Sequence, residues 1–265
     1  MAALELELKV ATELARDAGA MLRASQGKVP VLRKDRGEVV TPADRESDAR
    51  IRAGLLAAFP SDAVFSEETP DDGARAGRER VWIVDPLDGT SNYVAGGDEY
   101  VVSVGLSRGG IAVLGVVYNP VRDELFAGAV GSGATLNGAR TTVSAAASLA
   151  GARLLVSRKE WERGLSQALA GTAPGLMASM AHKLARVAGG LADGVLSVKT
   201  RKEWGSCAGV ALVAAAGGLC THLDGSPVRF NRSAPPPPGL LAAGPALHAL
   251  LLAEAARLRG SAAAS

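Results

Sequence analysis

Only two of the 265 residues are cysteine, Cys207 and Cys220, and each lies in an apolar, Ala/Gly/Leu-rich context. That scarcity argues against a disulfide framework and points to buried free thiols of a reducing compartment. No apolar stretch is long enough to span a bilayer, and the start, MAALELELKV, lacks the basic segment followed by an apolar run that marks a secretory signal. A cytoplasmic protein without a membrane partner is expected. Charge of one sign is equally scarce in excess. The net charge is +2, and no Lys/Arg cluster is dense enough to engage a nucleic-acid polymer. The three histidines, His182, His222 and His248, are scattered, and packing or surface roles suit His222 and His248. No internal repeat is present. What the chain does have is 48% hydrophobic residues, enough for one large domain or two tightly associated ones.

The rest of the chain is organised around WIVDPLDGTSN, residues 82–92. Val81 to Val84 form an apolar run that suits a strand buried on both faces. Pro86 cannot donate to a ladder, so the strand is expected to stop at Asp85 and to carry Asp85 and Asp88 out at its end. Like charges at that range repel unless a proton or a cation sits between them, and hard divalent cations such as Mg²⁺ prefer oxygen ligands of this kind. Thr90, Ser91 or Asn92 is placed to cap a short helix whose free N–H groups point back to the same spot. Cation ligands and an anion cradle in one segment are what a phosphate ester needs. Asp-x-x-Asp-Gly alone is common in surface turns, so the flanking segments decide its meaning.

Leu4 to Ser25 carry apolar residues at helical spacing, ending near Gly27 and Pro30. Asp35, Arg36 and Gly37 suggest a turn. Thr41 and Pro42 then open a second helix as N-cap and first helical residue, which puts Asp44 in its first turn. AVFSEET reads as a strand ending at Glu67 and Glu68. As the neighbour of the strand from Val81 to Val84, it brings Glu67 and Asp85 to one sheet edge, so acidic groups from three segments converge. Antiparallel hairpins follow from Tyr100 to Leu136. Thr141 to Gly151 is the best boundary, dividing residues 1–145 from 146–265. The second half alternates: a strand at Arg153–Val156, helices at Glu160–Leu169 and Ser179–Ala192, a strand at Gly194–Val198, a helix at Trp204–Ala216 and a strand at Leu219–Leu223. Pro235 to Pro238 form a stiff connector. A last strand in GLLAAG and a helix from Pro245 to Arg259 close the chain, and the Ala/Ser tail after Gly260 is expected to fray.

In this order FSEET, WIVDPLDGTSNY, GVVYNP and EWGSCAGVALVAAAGG resemble the inositol monophosphatase superfamily, from the first helix to the final strand. That superfamily comprises metal-dependent, lithium-sensitive phosphomonoesterases, among them 3'(2'),5'-bisphosphate nucleotidases and some fructose-1,6-bisphosphatases. The resemblance implies an α/β/α/β/α sandwich and a Mg²⁺ site of two or three ions. By position, Glu67 matches a ligand of the first metal, Asp85 the aspartate bridging the first and second, Leu87 a carbonyl ligand of the first, and Asp88 a ligand of the second. Thr90 matches the threonine that, with Glu67, activates the attacking water. The N–H groups of Gly89 and Thr90 would hold the phosphate, with Ser91 beside them. Glu68 and Asp44 match positions around a weaker third site, and Asp44 joins Glu67 and Thr90 in the implied catalytic set. His182 lies where family members shape the substrate pocket.

One departure stands out. The family pattern W-D-x-x-A-G is here Trp204-Gly205, without the aspartate that binds the second metal. Loss of one carboxylate ligand in three removes several kcal/mol of transition-state stabilisation, roughly a hundredfold or more in rate. Water, Glu203 or the substrate is left to complete the site, which makes Glu203 and Gly205 candidate substrate contacts. The resemblance implies hydrolysis of a small phosphate ester of the inositol monophosphate type. The alternatives are a nucleotidase acting on 3'-phosphoadenosine 5'-phosphate, or a catalytically weakened protein that binds metal and phosphate. Both the dimer common among inositol monophosphatases and a monomer fit the sequence.

Overall fold

The apolar stripe of the first segment folds as α1 (Glu5–Ser25), burying Ala11, Ala15, Ala18 and Leu22. The computed structural model describes residues 4–34, 37–200 and 202–262. Asp35 and Arg36 of the expected turn lie outside the described residues, as do the last three residues of the tail. A hairpin of β1 (Leu32–Arg33) and β2 (Val39–Val40) leads into α2 (Pro42–Ala58). The start of α2 is set locally. Thr41 Oγ1 accepts from Ala43 N, Asp44 accepts from Thr41 N, and Pro42 has no N–H to leave unsatisfied.

Next come β3 (Ala63–Ser66), β4 (Arg80–Asp88), the short α3 (Thr90–Val94), β5 (Val101–Arg108), β6 (Ile111–Asn119), β7 (Glu124–Ala129), β8 (Gly133–Leu136) and β9 (Ala139–Thr141). They form a seven-stranded sheet in sequence order, with β3 parallel to β4 and every later pair antiparallel. After β10 (Arg153–Val156) the chain turns through α4 (Arg158–Glu160), one π-helical turn (Trp161–Leu165) and α5 (Ser166–Ala168). It continues as β11 (Ala173–Leu176), α6 (Met180–Ala188), β12 (Gly194–Ser197), α7 (Cys207–Ala215), β13 (Leu219–Thr221), β14 (Leu240–Ala243) and α8 (Pro245–Ala262). Its five strands order as β11-β10-β12-β14-β13.

Alternation along the strands sorts these elements into layers. In β4, Trp82 and Val84 face a core shared with α1 and α2, while Val81 and Ile83 face α6 and α7. In the second sheet, Leu155, Val195 and Ala242 face α6 and α7 from the other side, while Leu154, Leu196 and Leu241 face α8. The result is the expected α/β/α/β/α sandwich, with α6 and α7 in the middle. Helix α7 is apolar all round because it is buried all round.

Three local expectations are corrected. Strand β4 does not stop at Asp85. The ladder with β5 is interrupted between Asp85 and Asp88 and resumes at Asp88 opposite Val101, so Pro86 falls in the bulge, where its missing N–H costs no ladder bond. A continuous helix over Glu160–Leu169 does not form, because Gly164 takes φ +119 in its middle. Helix α6 ends at Ala188 rather than Ala192, followed by Gly190 at φ +68. Strands β9 and β11, only three and four residues long, have no clear alternation signal. No helix of the described residues is long and apolar enough to cross a membrane. Both cysteines are free.

Helix α7 lies directly on the first sheet because two glycines make room for it. Gly105 and Gly115 are cross-strand partners, and a Cβ on them would come within 2.7 Å of Ala208 N and 2.1 Å of Ala208 O. On its far side, a Cβ on Gly209 would meet Leu184 at 2.4 Å. Backbone atoms in a close-packed layer cannot withdraw cheaply. Gly115→Ala is therefore expected to destabilise the fold by about 3 kcal/mol in chemical denaturation, against ~0.5 kcal/mol or less for the exposed Ser132→Ala.

Candidate metal and active site

Parallel pairing places Ser66 opposite Val84, and Glu67 N continues the ladder onto Val84 O at 3.2 Å. Glu67 and Asp85 therefore leave adjacent strands side by side. Asp85 is 3% exposed, and its Oδ1 accepts from Leu87 N at 3.2 Å. Burial raises its pKa well above the ordinary value, and the negative charge of Glu67 and Asp88 raises it further. Glu67 is pushed up to about 7, first by burial and then by Asp88 and Glu68, with Lys34 opposing. The two carboxyls lie within hydrogen-bonding reach of each other, which requires a proton between them.

Helix α2 braces this corner. Ser47 Oγ donates to Pro86 O at 2.9 Å, holding the bulge. The buried Asp48 accepts from Ser66 Oγ and from Thr69 Oγ1, gripping the chain on both sides of Glu67 and Glu68. Asp44 is 1% exposed. Its Oδ2 accepts from Thr41 N and Oγ1 at 2.8 and 2.7 Å, and its Oδ1 accepts from Thr90 Oγ1 at 3.1 Å. Burial raises the Asp44 pKa against the pull of those hydrogen bonds. Thr90 Oγ1 also lies 3.1 Å from Leu87 O. Thr90 thus sits inside α3 and does not cap it. The cap position is Gly89 at φ +104, where a Cβ would stand 2.6 Å from Glu99 O.

Asp88 points to the other half of the molecule. Its Oδ2 accepts from Ser179 Oγ at 2.7 Å and from Ala181 N at 3.0 Å, at the start of α6. Glu68 meets Lys34, whose Nζ is 2.5 Å from Glu68 Oε1 and 3.7 Å from Glu67 Oε1. Gly205 comes to the site as α7 docks, and a Cβ there would be 3.9 Å from Asp85 Oδ2. Ser91 is exposed on α3.

Two expected contacts do not open on this site. His182 is fully buried, with Nε2 3.3 Å from Glu124 Oε2 and its ring edge-on to Phe126, so α6 turns it into the core. The Glu203 carboxylate accepts from Asn231 N at 2.6 Å and Arg232 N at 3.0 Å, which anchors it away from Asp85. His222 and His248 are buried, on Gly239 O and Thr221 Oγ1. Three contributors had gone unnoticed: Asp48, Lys34 and Ser179. Asp48 had a usable signal, a second carboxylate one turn after Asp44 on the same helix face. Lys34 and Ser179 reach the site through tertiary packing alone.

Among the described residues no three carboxylate, imidazole or thiol side chains form a ready cage. Burial and mutual charge raise Glu67 and Asp85, and Asp88 leans on Ser179. The donor set nevertheless fits a hard divalent cation. It is all oxygen, and the raised carboxyls mark negative charge in excess of what Lys34 balances, beside space left open at Gly205.

The sequence and the fold have counterparts in known proteins. The model of the inositol monophosphatase family matches residues 3–259. A Pseudomonas aeruginosa protein named Nus factor SuhB is 34% identical over 234 residues, covering 83% of this chain and 86% of that protein. A histidinol-phosphatase of Chlorobaculum parvum is 34% identical over 229 residues, with coverage of 83% and 86%. The solved structure of an inositol monophosphatase from Anabaena (Nostoc) matches with a TM-score of 0.82 at 30% identity over 96% of both chains. With a family match along nearly its whole length and a fold shared with solved members, the chain belongs to the inositol monophosphatase family and is a phosphoric monoester hydrolase.

Proposed function

We propose that the protein is a Mg²⁺-dependent phosphatase of small soluble esters of the inositol monophosphate type, acting by direct attack of water on phosphorus. Residues 1–145 carry the metal site in this reading, and residues 146–265 complete the substrate pocket. Glu67, Asp85, Asp88 and the Leu87 carbonyl are the proposed cation ligands, with Glu68 at an outer position. Bound there, Mg²⁺ supplies charge neutralisation for the phosphate dianion, a lowered pKa for its water and stabilisation for the departing oxygen.

The observation that carries the reading is the hydrogen bond from Thr90 Oγ1 to Asp44 Oδ1 beside the Glu67–Asp85 pair. A hydroxyl that donates to Asp44 keeps its lone pairs to accept a hydrogen from water. Thr90 then orients the water, Glu67 takes its proton, and the new bond to phosphorus forms as the ester P–O bond breaks. The departing alkoxide oxygen takes a proton from solvent water, Glu67 returns its own to solvent, and no residue is phosphorylated. The Gly89 and Thr90 N–H groups are the proposed phosphate donors, with Ser91 at the rim.

Phosphate release from inositol 1-phosphate, 3'-phosphoadenosine 5'-phosphate, fructose 1,6-bisphosphate and histidinol phosphate tests this. We expect Mg²⁺-dependent turnover, greatest for inositol 1-phosphate, and lithium inhibition. Asp85→Asn and Thr90→Ala should each lower kcat by about a hundredfold or more. Silence of the folded protein across the panel would favour a protein that binds phosphate without cleaving it.

The carboxyl protons give a second test. In the cation-free fold Glu67 titrates near 7 and Asp85 above its ordinary value, whereas the unfolded chain has lost both protons above about pH 4.5. The folded state binds more protons, so stability falls as pH rises from about 4.5 through 7. The cation-free protein should melt ~5 °C or more lower at pH 8 than at pH 5.5. Mg²⁺ should restore more stability at pH 8, and its binding at pH 7 should release protons into unbuffered solution. A cation-free melting temperature independent of pH would refute the carboxyl cluster.

A further inference from the structure

Strand β3 is an edge strand of the first sheet, so β4 holds it on one side and no strand holds the other. It is four residues long, and Glu67 follows directly on its end. A short edge strand is the part of a sheet freest to shift, yet the proposed water base sits there. Asp48 grips the hydroxyls of Ser66 and Thr69, and a second brace acts one residue earlier. The chain after Glu68 runs over the surface to β4, and of residues 70–79 only Arg75 is not exposed. Its guanidinium lies over the ring of Phe65, two residues before Glu67, with Cζ 4.1 Å from the ring centre. Nε and Nη2 hold Asp71 at 2.9 and 2.8 Å. Nη1 crosses to the second half of the chain, donating to Asn231 Oδ1 at 2.9 Å and to Arg232 O at 3.2 Å.

Asn231 is shaped to receive it. Its backbone takes φ +55, a conformation that asparagine tolerates better than most residues with a Cβ, and its Nδ2 donates to Arg75 O at 3.1 Å and to Arg78 O at 3.3 Å. The N–H groups of Asn231 and Arg232 hold Glu203, and Trp204, next in the chain, sets its ring edge-on to Phe65 with centroids 5.3 Å apart. The contacts close on themselves, from Phe65 through Arg75, Asn231, Glu203 and Trp204 back to Phe65. Fastening the loop alone would need no more than the Asp71 pair. We propose that Arg75 is a positioning residue of the phosphatase reaction, one that locks the free side of β3, and with it Glu67, against the 231–232 turn of the second half. This rests on the phosphatase reading above and deepens it. A guanidinium is required, because lysine can face the Phe65 ring but cannot reach Asp71, Asn231 and Arg232 from one planar fork.

The test measures kcat and KM for inositol 1-phosphate at saturating Mg²⁺, and Mn²⁺ affinity without ester by electron paramagnetic resonance. Arg75→Ala should lower kcat about tenfold and weaken Mn²⁺ about fivefold while KM stays within about twofold, since it is Glu67 that is displaced. Arg75→Lys should behave alike. Free guanidinium ion should restore much of the loss in Arg75→Ala and none in Arg75→Lys, with sodium at equal ionic strength as the control. Asn231→Gly keeps the backbone conformation and removes the amide, so it should reproduce the loss, and the double variant should be no worse than either single change. Arg153→Ala separates positioning from plain stability. Arg153 forks onto Asp193 at the start of β10, the opposite end of the second sheet from Ser179, and its loss should lower the melting temperature while leaving kcat and Mn²⁺ affinity unchanged. Parent-like kcat and Mn²⁺ affinity in folded Arg75→Ala overturn the proposal, as does a loss that guanidinium leaves untouched. If Arg75→Ala does not fold, Asn231→Gly decides by the same two quantities. A parent protein that releases no phosphate from any ester of the panel overturns the phosphatase reading instead, and the Mn²⁺ affinities still decide for or against Arg75.

Discussion

The mutual repulsion of Asp85, Glu67 and Asp88 at the end of a buried strand is the constraint the rest of the structure answers. Carboxylates brought out of water together cannot all ionise without a counter-charge. The chain nevertheless holds them there from several directions. Helix α2 supplies Ser47 to the bulge carbonyl and Asp48 to the flanks of Glu67, β3 fixes Glu67 by register, and α6 holds Asp88 through Ser179 and Ala181. Among the described residues Lys34 answers the charge directly, and it stands nearest the outer carboxylate, Glu68. Burial and mutual repulsion favour the protonated form of the inner pair, a charge deficit that a divalent cation can also meet. A site braced so that its own charges repel is preorganised for a cation and for the dianion that the cation attracts.

The same packing decides what faces those charges. Helix α7 reaches the first sheet only because Gly105 and Gly115 lie opposite each other, and it reaches α6 only because Gly209 has no side chain. The helix is thereby pinned between two layers, and the residue just before its cap cannot drift. Gly205 stands beside Asp85 as a result of contacts made along this buried helix. A gap maintained by close-packed backbone is a fixed feature of the site, not a loop that happens to lie open.

Much of this was legible in the sequence, for identifiable reasons. The Val81–Val84 run, the Thr41-Pro42 start of α2 and the Glu67–Asp85 adjacency each follow from local chemistry or from two neighbouring strands. The errors came where tertiary pairing overrode a local rule. Pro86 ends a strand by itself, yet β5 recovers its register on the far side of a bulge. Thr90 reads as a cap, yet Asp44 in another helix claims its hydroxyl, and Gly89 takes the cap position. His182 is expected at the substrate pocket from the resemblance alone, and Glu203 only as a stand-in for the aspartate that Gly205 replaces. One helix turn in α6 and two backbone N–H groups at 231–232 direct them elsewhere. Lys34 and Ser179 carry no local signature, since their role depends on which surface each segment meets after folding.

The two halves of the chain enter the site unequally. Asp44, Glu67, Asp85, Asp88 and Thr90 all precede residue 100, and their hydrogen bonds run largely among α2, β3, β4 and α3. The second half touches them through one hydroxyl and one N–H at the start of α6, and through the gap before α7. Water activation needs groups held to a few tenths of an ångström, which suits residues braced by one sheet edge and one helix. The second half stands on the side of Asp88 where Ser179 and Ala181 bind it. A change at Gly205 would therefore leave the Thr90–Asp44 contact undisturbed, since that hydrogen bond is made wholly between α2 and α3.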